Sequence, residues 1–287
     1  VTKRTLLWAG SLICLALAGS GCAVIERATR TGLPAGVLEG KKRLMAGDER
    51  AGLAGFDRAI RQSPQDAMIY AMVAQACAEA GKPALAAAYA ERGLSATPGA
   101  EASDHARLYG LLGSARLEMG RVQESLEANR AALRLEPGSP GLMNNLAYSM
   151  AELPNNDEYL AEAETLATEA VTRAQSGAFD EAEMGVYLDT LGWIQFQRGS
   201  VERAAVSLAQ AADLAPSQPE ILYHLARVYQ ATGRPAEAIT VLRRALKLRP
   251  GLERARQALE ELVLYAEPGA TGLAPDKDAR MRRAPGK

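Results

Sequence analysis

The chain has 287 residues, a formal net charge of −1, and 48% hydrophobic but only 5% aromatic residues. A near-neutral chain gives no electrostatic reason to expect nucleic acid as a partner. With so few rings, alanine and leucine must fill the core, and alanine favours helix because it loses no side-chain entropy there. At the N-terminus, Lys3 and Arg4 precede an apolar stretch of 13 residues, Leu6 to Ala18. That is short of the roughly 20 residues a membrane-spanning helix needs, and it suits a signal peptide. The stretch ends in Ala18-Gly19-Ser20-Gly21-Cys22.

Small residues running directly into Cys22 resemble a bacterial lipobox, with Gly19 where leucine is commonest. The resemblance implies cleavage before Cys22, a covalent lipid on its thiol and, since Ala23 rather than Asp follows, an outer-membrane lipoprotein facing the periplasm. Two other readings stay open. One is an ordinary secretory peptide cut at another small residue, with Cys22 incidental. The other is an uncleaved anchor. Of the three cysteines, Cys14 would leave with residues 1–21 and Cys22 would carry lipid, so Cys77 is left without an internal disulfide partner. Residues 22–32 then form a tether.

The body of the chain repeats itself. Gly199, Ala204, Leu208, Ala211 and Pro216 recur 34 residues later as Gly233, Ala238, Leu242, Ala245 and Pro250. Leu191-Gly192 returns likewise as Leu225-Ala226. Further copies carry Gly81, Ala86, Ala90 and Pro98, then Leu112-Gly113, Gly120, Ala132 and Pro137. A degenerate first copy has Gly40, Gly47, Phe56, Ala59 and Pro64. One copy, opening at Leu146-Ala147, is stretched by extra residues around 153–160 and again before the next repeat.

The register gives six repeats, 33–66, 67–100, 106–139, 140–184, 185–218 and 219–252, and a capping helix over 252–265. Small residues suit close backbone approach, glycine suits a left-handed helix end, and proline cannot continue a helix. Apolar spacing between these marks is helical throughout, as in Ile221-Leu222-Leu225-Val228-Tyr229, and no stretch alternates like a strand. Glu253, Arg254, Arg256, Glu260 and Glu261 would give the capping helix a wet outer face. Residues 266–287, rich in Gly, Pro and charge, read as a disordered tail.

This pattern resembles the tetratricopeptide repeat (TPR), a pair of antiparallel helices, A and B, recurring every 34 residues. It implies an all-α, right-handed solenoid that binds a protein or peptide. In TPR families the inner surface is lined by helix A at repeat positions two, five, nine and twelve. Carried onto this chain, those positions give Asn144 and Tyr148 in the fourth repeat, Asp189, Trp193 and Phe196 in the fifth, and Tyr223 and Arg227 in the sixth. The earlier copies offer the smaller Met68, Ala71, Gln75, Gly110 and Ser114.

Aromatic residues and arginine dominate binding hot spots. Trp193 and Phe196 have two readings, exposed in the groove or packed as core, since Leu188 and Leu191 already fill the usual core positions. Arg227 would meet a partner carboxylate or pair with Glu220. Asn144-Asn145 would bond an extended peptide backbone. Lysines that clamp a peptide carboxylate in some TPR domains are missing at the matching positions.

No site for chemistry stands out. The two histidines, His105 and His224, fit no HExxH motif, and no Gly-rich phosphate loop follows a strand. Ser114 lies within helix A rather than on a nucleophile elbow. The chain reads as a non-catalytic scaffold without cofactor, metal or small-molecule substrate. It resembles TPR lipoproteins of Gram-negative envelopes. These include pilotins, scaffolds for peptidoglycan hydrolases, and proteins of exopolysaccharide or exosortase-linked systems, the last through LDTLGWIQFQRG after the stretched repeat.

Overall fold

In the computed structural model, residues 33–154, 157–177 and 180–266 are described. The signal-like segment with Cys22, the tether, and the tail from residue 267 onward lie outside them. The described residues form thirteen helices and no strand. They run as α1 (Ala35–Met45), α2 (Glu49–Gln62), α3 (Ala67–Glu79), α4 (Pro83–Ala96), α5 (Ala102–Glu118) and α6 (Val122–Leu135). There follow α7 (Pro140–Ala151), α8 (Leu160–Ser176), α9 (Glu181–Gln197), α10 (Val201–Leu214), α11 (Pro219–Ala231), α12 (Pro235–Leu248) and α13 (Glu253–Ala266). None of the described helices is long and apolar enough to cross a membrane.

Each odd-numbered helix pairs with the even-numbered helix after it, giving six A/B pairs and a final unpaired α13. The turn from A to B is set by glycine. Gly81, Gly120, Gly199 and Gly233 sit just past helix A with φ of 69°, 74°, 77° and 74°. An L-residue with a Cβ would be strained there. Pro64, Pro98, Pro137, Pro216 and Pro250 all fall outside the helices, just after helix B.

Within pairs, small residues bring backbones together. In the first repeat a Cβ on Gly55 would lie 2.9 Å from the Gly36 carbonyl oxygen and the Gly40 Cα. In the fifth, a Cβ on Gly192 would lie 2.7 Å from Leu208 Cγ. Ala86, Ala204, Ala211, Ala238 and Ala245 are fully buried at the matching seams.

Two helices start earlier than the repeat register suggests. Helix α9 begins at Glu181, ahead of the 185 boundary, where the Asp180 side chain accepts a hydrogen bond from the Glu183 backbone N–H at 2.7 Å. Helix α5 begins at Ala102, in the linker before 106. Both are 17 residues long, a turn longer than α3, α7 or α11.

Packing between repeats sets the curvature. Successive A helices α1, α3, α5, α7, α9 and α11 touch one another, whereas successive B helices make at most marginal contact. The A helices therefore form the shorter, inner arc, and stacked helix pairs of this kind generate a concave surface. The core is mostly Ala and Leu and runs along the whole array.

One interface is polar. Between α6 and α7, Asn129 Nδ2 donates to Ser149 Oγ at 2.8 Å, and Ser149 Oγ donates to the Asn145 carbonyl at 2.9 Å. Ser125 Oγ lies 2.9 Å from Ser149 Oγ, and all four residues are buried. Cys77 is also fully buried, and burial pushes its thiol up to about 12.

Candidate protein-binding groove

The inner arc between α7 and α13 is where polar and aromatic side chains collect. Helix α9 presents Asp189 and Trp193 one turn apart, then Phe196. Helix α11, stacked beside it, presents Tyr223, His224 and Arg227. His224 Nδ1 lies 2.8 Å from Asp189 Oδ1 and 3.0 Å from Oδ2, and both residues are buried. The Trp193 ring stacks on the His224 imidazole at 4.3 Å and 16°, and on Phe196 at 5.5 Å and 22°. Tyr223 closes the group, its ring 6.5 Å from Trp193, and its hydroxyl accepts from Arg227 Nη1 at 3.2 Å.

Five of the seven anticipated groove residues, Asp189, Trp193, Phe196, Tyr223 and Arg227, thus form one connected cluster. Their exposure is uneven. Asp189 and Tyr223 are buried, while Trp193, Phe196 and Arg227 are half-buried. Trp193 and Phe196 do both things the sequence left open. Both pack against the apolar core, and both residues stay only partly buried. The Trp193 indole N–H is itself buried without a hydrogen-bond partner among the described residues.

The other two residues lie deeper. Asn144 is 0% exposed, and neither its amide N nor its amide O has a partner among the described residues. Asn145 is buried as well, its side-chain amide also without a partner among the described residues, while its backbone carbonyl accepts from Ser149 in the α6–α7 seam. Tyr148 is 4% exposed, and burial pushes its hydroxyl well above the ordinary phenol range. The smaller residues of the earlier repeats make local contacts. Gln75 Nε2 donates to Glu79 at 2.9 Å, and Met68 Sδ lies 3.2 Å from Arg107 Nη1.

Three details depart from the sequence reading. Glu220 pairs with Arg249 of the loop after α12, and not with Arg227. Arg254 does not belong to a wet outer face. It turns inward from α13, and its Nη2 lies 3.7 Å from Glu152 Oε2 at the end of α7. His224, read only as a missing metal motif, is the centre of the aromatic stack.

The 34-residue register carried a signal for the last two. Arg254 stands 34 residues after Glu220, at groove position two. His224 stands 35 after Asp189, one repeat and one residue on.

Burial acts against the Arg254 charge, but Tyr148, Glu152 and Tyr223 more than offset it, so the guanidinium is held more firmly protonated than usual. Among the described residues no group of three or more His, Cys, Asp or Glu side chains could hold a metal ion. The arrangement offers aromatic faces, a guanidinium and carboxylates, which are the materials of recognition.

Comparison with known proteins agrees with this architecture. Tetratricopeptide-repeat family profiles match residues 38–101, 106–139 and 195–262. No curated protein matches the chain. Among solved structures, the APC/C Cut9-Hcn1 hetero-tetramer superposes with a TM-score of 0.63 at 17% identity, over 88% of this chain and 46% of that one. The chain therefore spans less than half the length of that relative. A thermophilic TPR protein of Thermus thermophilus superposes at 0.56 and 21% identity, over 69% of this chain and 100% of that one. PilF of Pseudomonas aeruginosa does so at 0.51 and 15% identity, over 79% and 96%. At such identities these likenesses concern the fold alone. Helix pairs on a 34-residue register, glycine-marked turns and three matching family profiles together make this chain a tetratricopeptide-repeat solenoid.

Proposed function

We propose that the chain is a non-catalytic adaptor that binds a partner protein or peptide along its inner groove, at repeats four to six. The observation that carries this reading is the Trp193 cluster. A half-buried tryptophan stacks between His224 and Phe196 with its indole N–H unpartnered, beside a half-buried Arg227. Rigid, preassembled aromatic surfaces lose little side-chain entropy on binding, and such residues supply most interface energy.

The same proposal places the adaptor in the cell envelope. It is exported by the Lys3–Ala18 segment, held on the periplasmic side of the outer membrane by lipid on Cys22, and at work in envelope assembly or secretion. A pilotin-like assembly role is the second reading, carried by the resemblance of the N-terminal segment and repeats to envelope TPR lipoproteins. A third is an accessory subunit that regulates a peptidoglycan or polysaccharide enzyme.

In-cell photo-crosslinking from position 193, read by mass spectrometry, tests the groove. A single envelope protein captured by the otherwise native chain, and lost when Tyr148→Ala and Phe196→Ala are added, is the expected result. Capture that survives those substitutions, or no specific capture, removes the groove from the proposal.

A further inference from the structure

The first repeat exposes a side that later repeats keep covered. Leu38, Lys42 and Met45 fall at i, i+4 and i+7 on α1 and so share one stripe. Counted back from the proline after helix B, Lys42 holds the position of Ala76, Ile194 and Val228, which are 3%, 0% and 0% exposed. Val228 shows what covers that position, since it packs on Ala204 and Leu208 of the repeat before. No described helix precedes α1, and on it Lys42 is exposed, Leu38 is 40% and Met45 63% exposed.

Arg58 on α2 faces the same way. It holds the position of Arg92 and Arg244, which reach back to Asp57 and to the Pro216 carbonyl of their preceding repeats. The Glu39 carboxyl is lowered chiefly by its hydrogen bond from Arg43, and Lys42 and Arg58 both add to the pull, so these two cations stand near one carboxylate. The charge of the repeat is unevenly committed. All its acids are engaged, Glu39 by Arg43, Glu49 by Lys82, Asp57 by Arg92, and Asp48 and Asp66 as helix caps. Lys42, Arg50, Arg58 and Arg61 are exposed and make no ion pair among the described residues.

We propose that this side of the first repeat, Leu38, Lys42 and Met45 with Arg58, docks on an anionic membrane surface, its cations among lipid headgroups and its two apolar side chains at the acyl boundary. The proposal rests on the lipid anchor at Cys22 and adds an orientation to it. Residues 23–32 separate Cys22 from Leu33, and whatever their conformation they reach at most roughly 35 Å. So short a connection keeps the face at high local concentration beside the bilayer, and contacts too weak to hold a free protein then suffice. A lipid chain and a basic patch together bind more firmly than either alone, and anionic headgroups attract lysine and arginine over about a Debye length. Docking holds the first repeat at the surface and leaves the Trp193 cluster further along the array.

The test uses the lipid-bearing chain with Met45→Cys, labelled there with an environment-sensitive fluorophore. The lipid occupies Cys22 and burial shields Cys77, so position 45 takes the label. The chain is reconstituted into vesicles of phosphatidylethanolamine and phosphatidylglycerol that carry a nitroxide on the headgroup. Vesicles of phosphatidylcholine with the same quencher are the neutral comparison. Val206→Cys on α10, where the native side chain is 60% exposed, is the control position. Flotation of the vesicles reads anchoring separately.

The expected result is a blue shift and several-fold stronger quenching at position 45 on the anionic vesicles than on the neutral ones, with no such difference at position 206. Lys42→Glu with Arg58→Glu should bring quenching at 45 down to the level at 206, and the milder Lys42→Gln with Arg58→Gln should fall between. A chain that floats while position 45 stays unquenched, or is quenched equally on both vesicles, overturns the docking face and leaves the anchor standing. A blue shift at 45 without quenching means a protein covers the face, a second copy included, and overturns it too. A chain that does not float removes the anchor, and the inference falls with it.

Discussion

His224 on α11 and Asp189 on α9 form a buried pair across neighbouring repeats, with Nδ1 2.8 Å from Oδ1 and the Trp193 ring laid flat on the imidazole. The pair pins the most aromatic part of the inner groove to a single geometry. His224→Ala removes the stacking partner and leaves the Asp189 carboxylate buried alone. The expected loss is roughly 2–3 kcal/mol, the scale of a hydrogen bond to a charged group. Urea unfolding measures it, and Trp193, the only tryptophan besides Trp8, reports the local change by fluorescence.

Glu183 predicts a pH dependence. Its side chain is 1% exposed, neither oxygen has a partner among the described residues, and burial, with Asp180 nearby, raises its pKa to about 7. In the unfolded chain the group ionises near the ordinary value of 4.5, while the folded chain keeps the proton until about 7. The folded state therefore binds the extra proton in that window. Stability falls as pH rises through the window and levels off above it. Glu183→Gln should raise the melting temperature at pH 8 by about 2–4 °C, what ~1 kcal/mol does in a chain of this size. It should change little below pH 4.5, where both states are protonated. Thermal melts at the two pH values decide it.

Gly55→Ala tests the seam of the first repeat. The new methyl would lie 2.9 Å from backbone atoms of Gly36 and Gly40, which cannot move aside as a flexible side chain would. A cost of about 1–3 kcal/mol is expected. Gly99→Ala, where a Cβ meets nothing within 4 Å, is the neutral control. Amide exchange in α1 and α2 should speed up in the first variant and stay unchanged in the second.

Cys77 should be silent to thiol reagents in the native state. It is fully buried with a thiol pKa of about 12, and the thiolate is the reactive form. In a chain carrying Cys14→Ser and Cys22→Ser, labelling by a soluble disulfide reagent should track global unfolding in urea. Rapid labelling without denaturant would show that α3 opens locally.

The repeats were legible because their signals are local. A glycine in the left-handed region and a proline after helix B mark each turn wherever they recur, and the 34-residue spacing does the rest. The start of α9 was obscured because residues after the stretched fourth repeat break the register. The clue was Asp180 before an acidic first turn, an N-cap signal. The inner-arc positions also came from the register, and five of the seven residues chosen there cluster. Their burial did not follow from the register, since it depends on how tightly the A helices curve. Arg254 departs from its expected place for the same reason. Its type and its company of charged neighbours suggested solvent, while its position-two placement pointed inward.

Most contacts in this array join near neighbours in sequence, a pattern that lets a chain fold quickly and lets its ends fray independently. The Arg254–Glu152 approach breaks that rule. It ties the last helix to the middle of the solenoid and makes a ring of repeats four to six. A ring has no free end to unravel from. The N-terminal repeats should therefore melt progressively from α1, while the C-terminal half holds together and then opens as one cooperative unit.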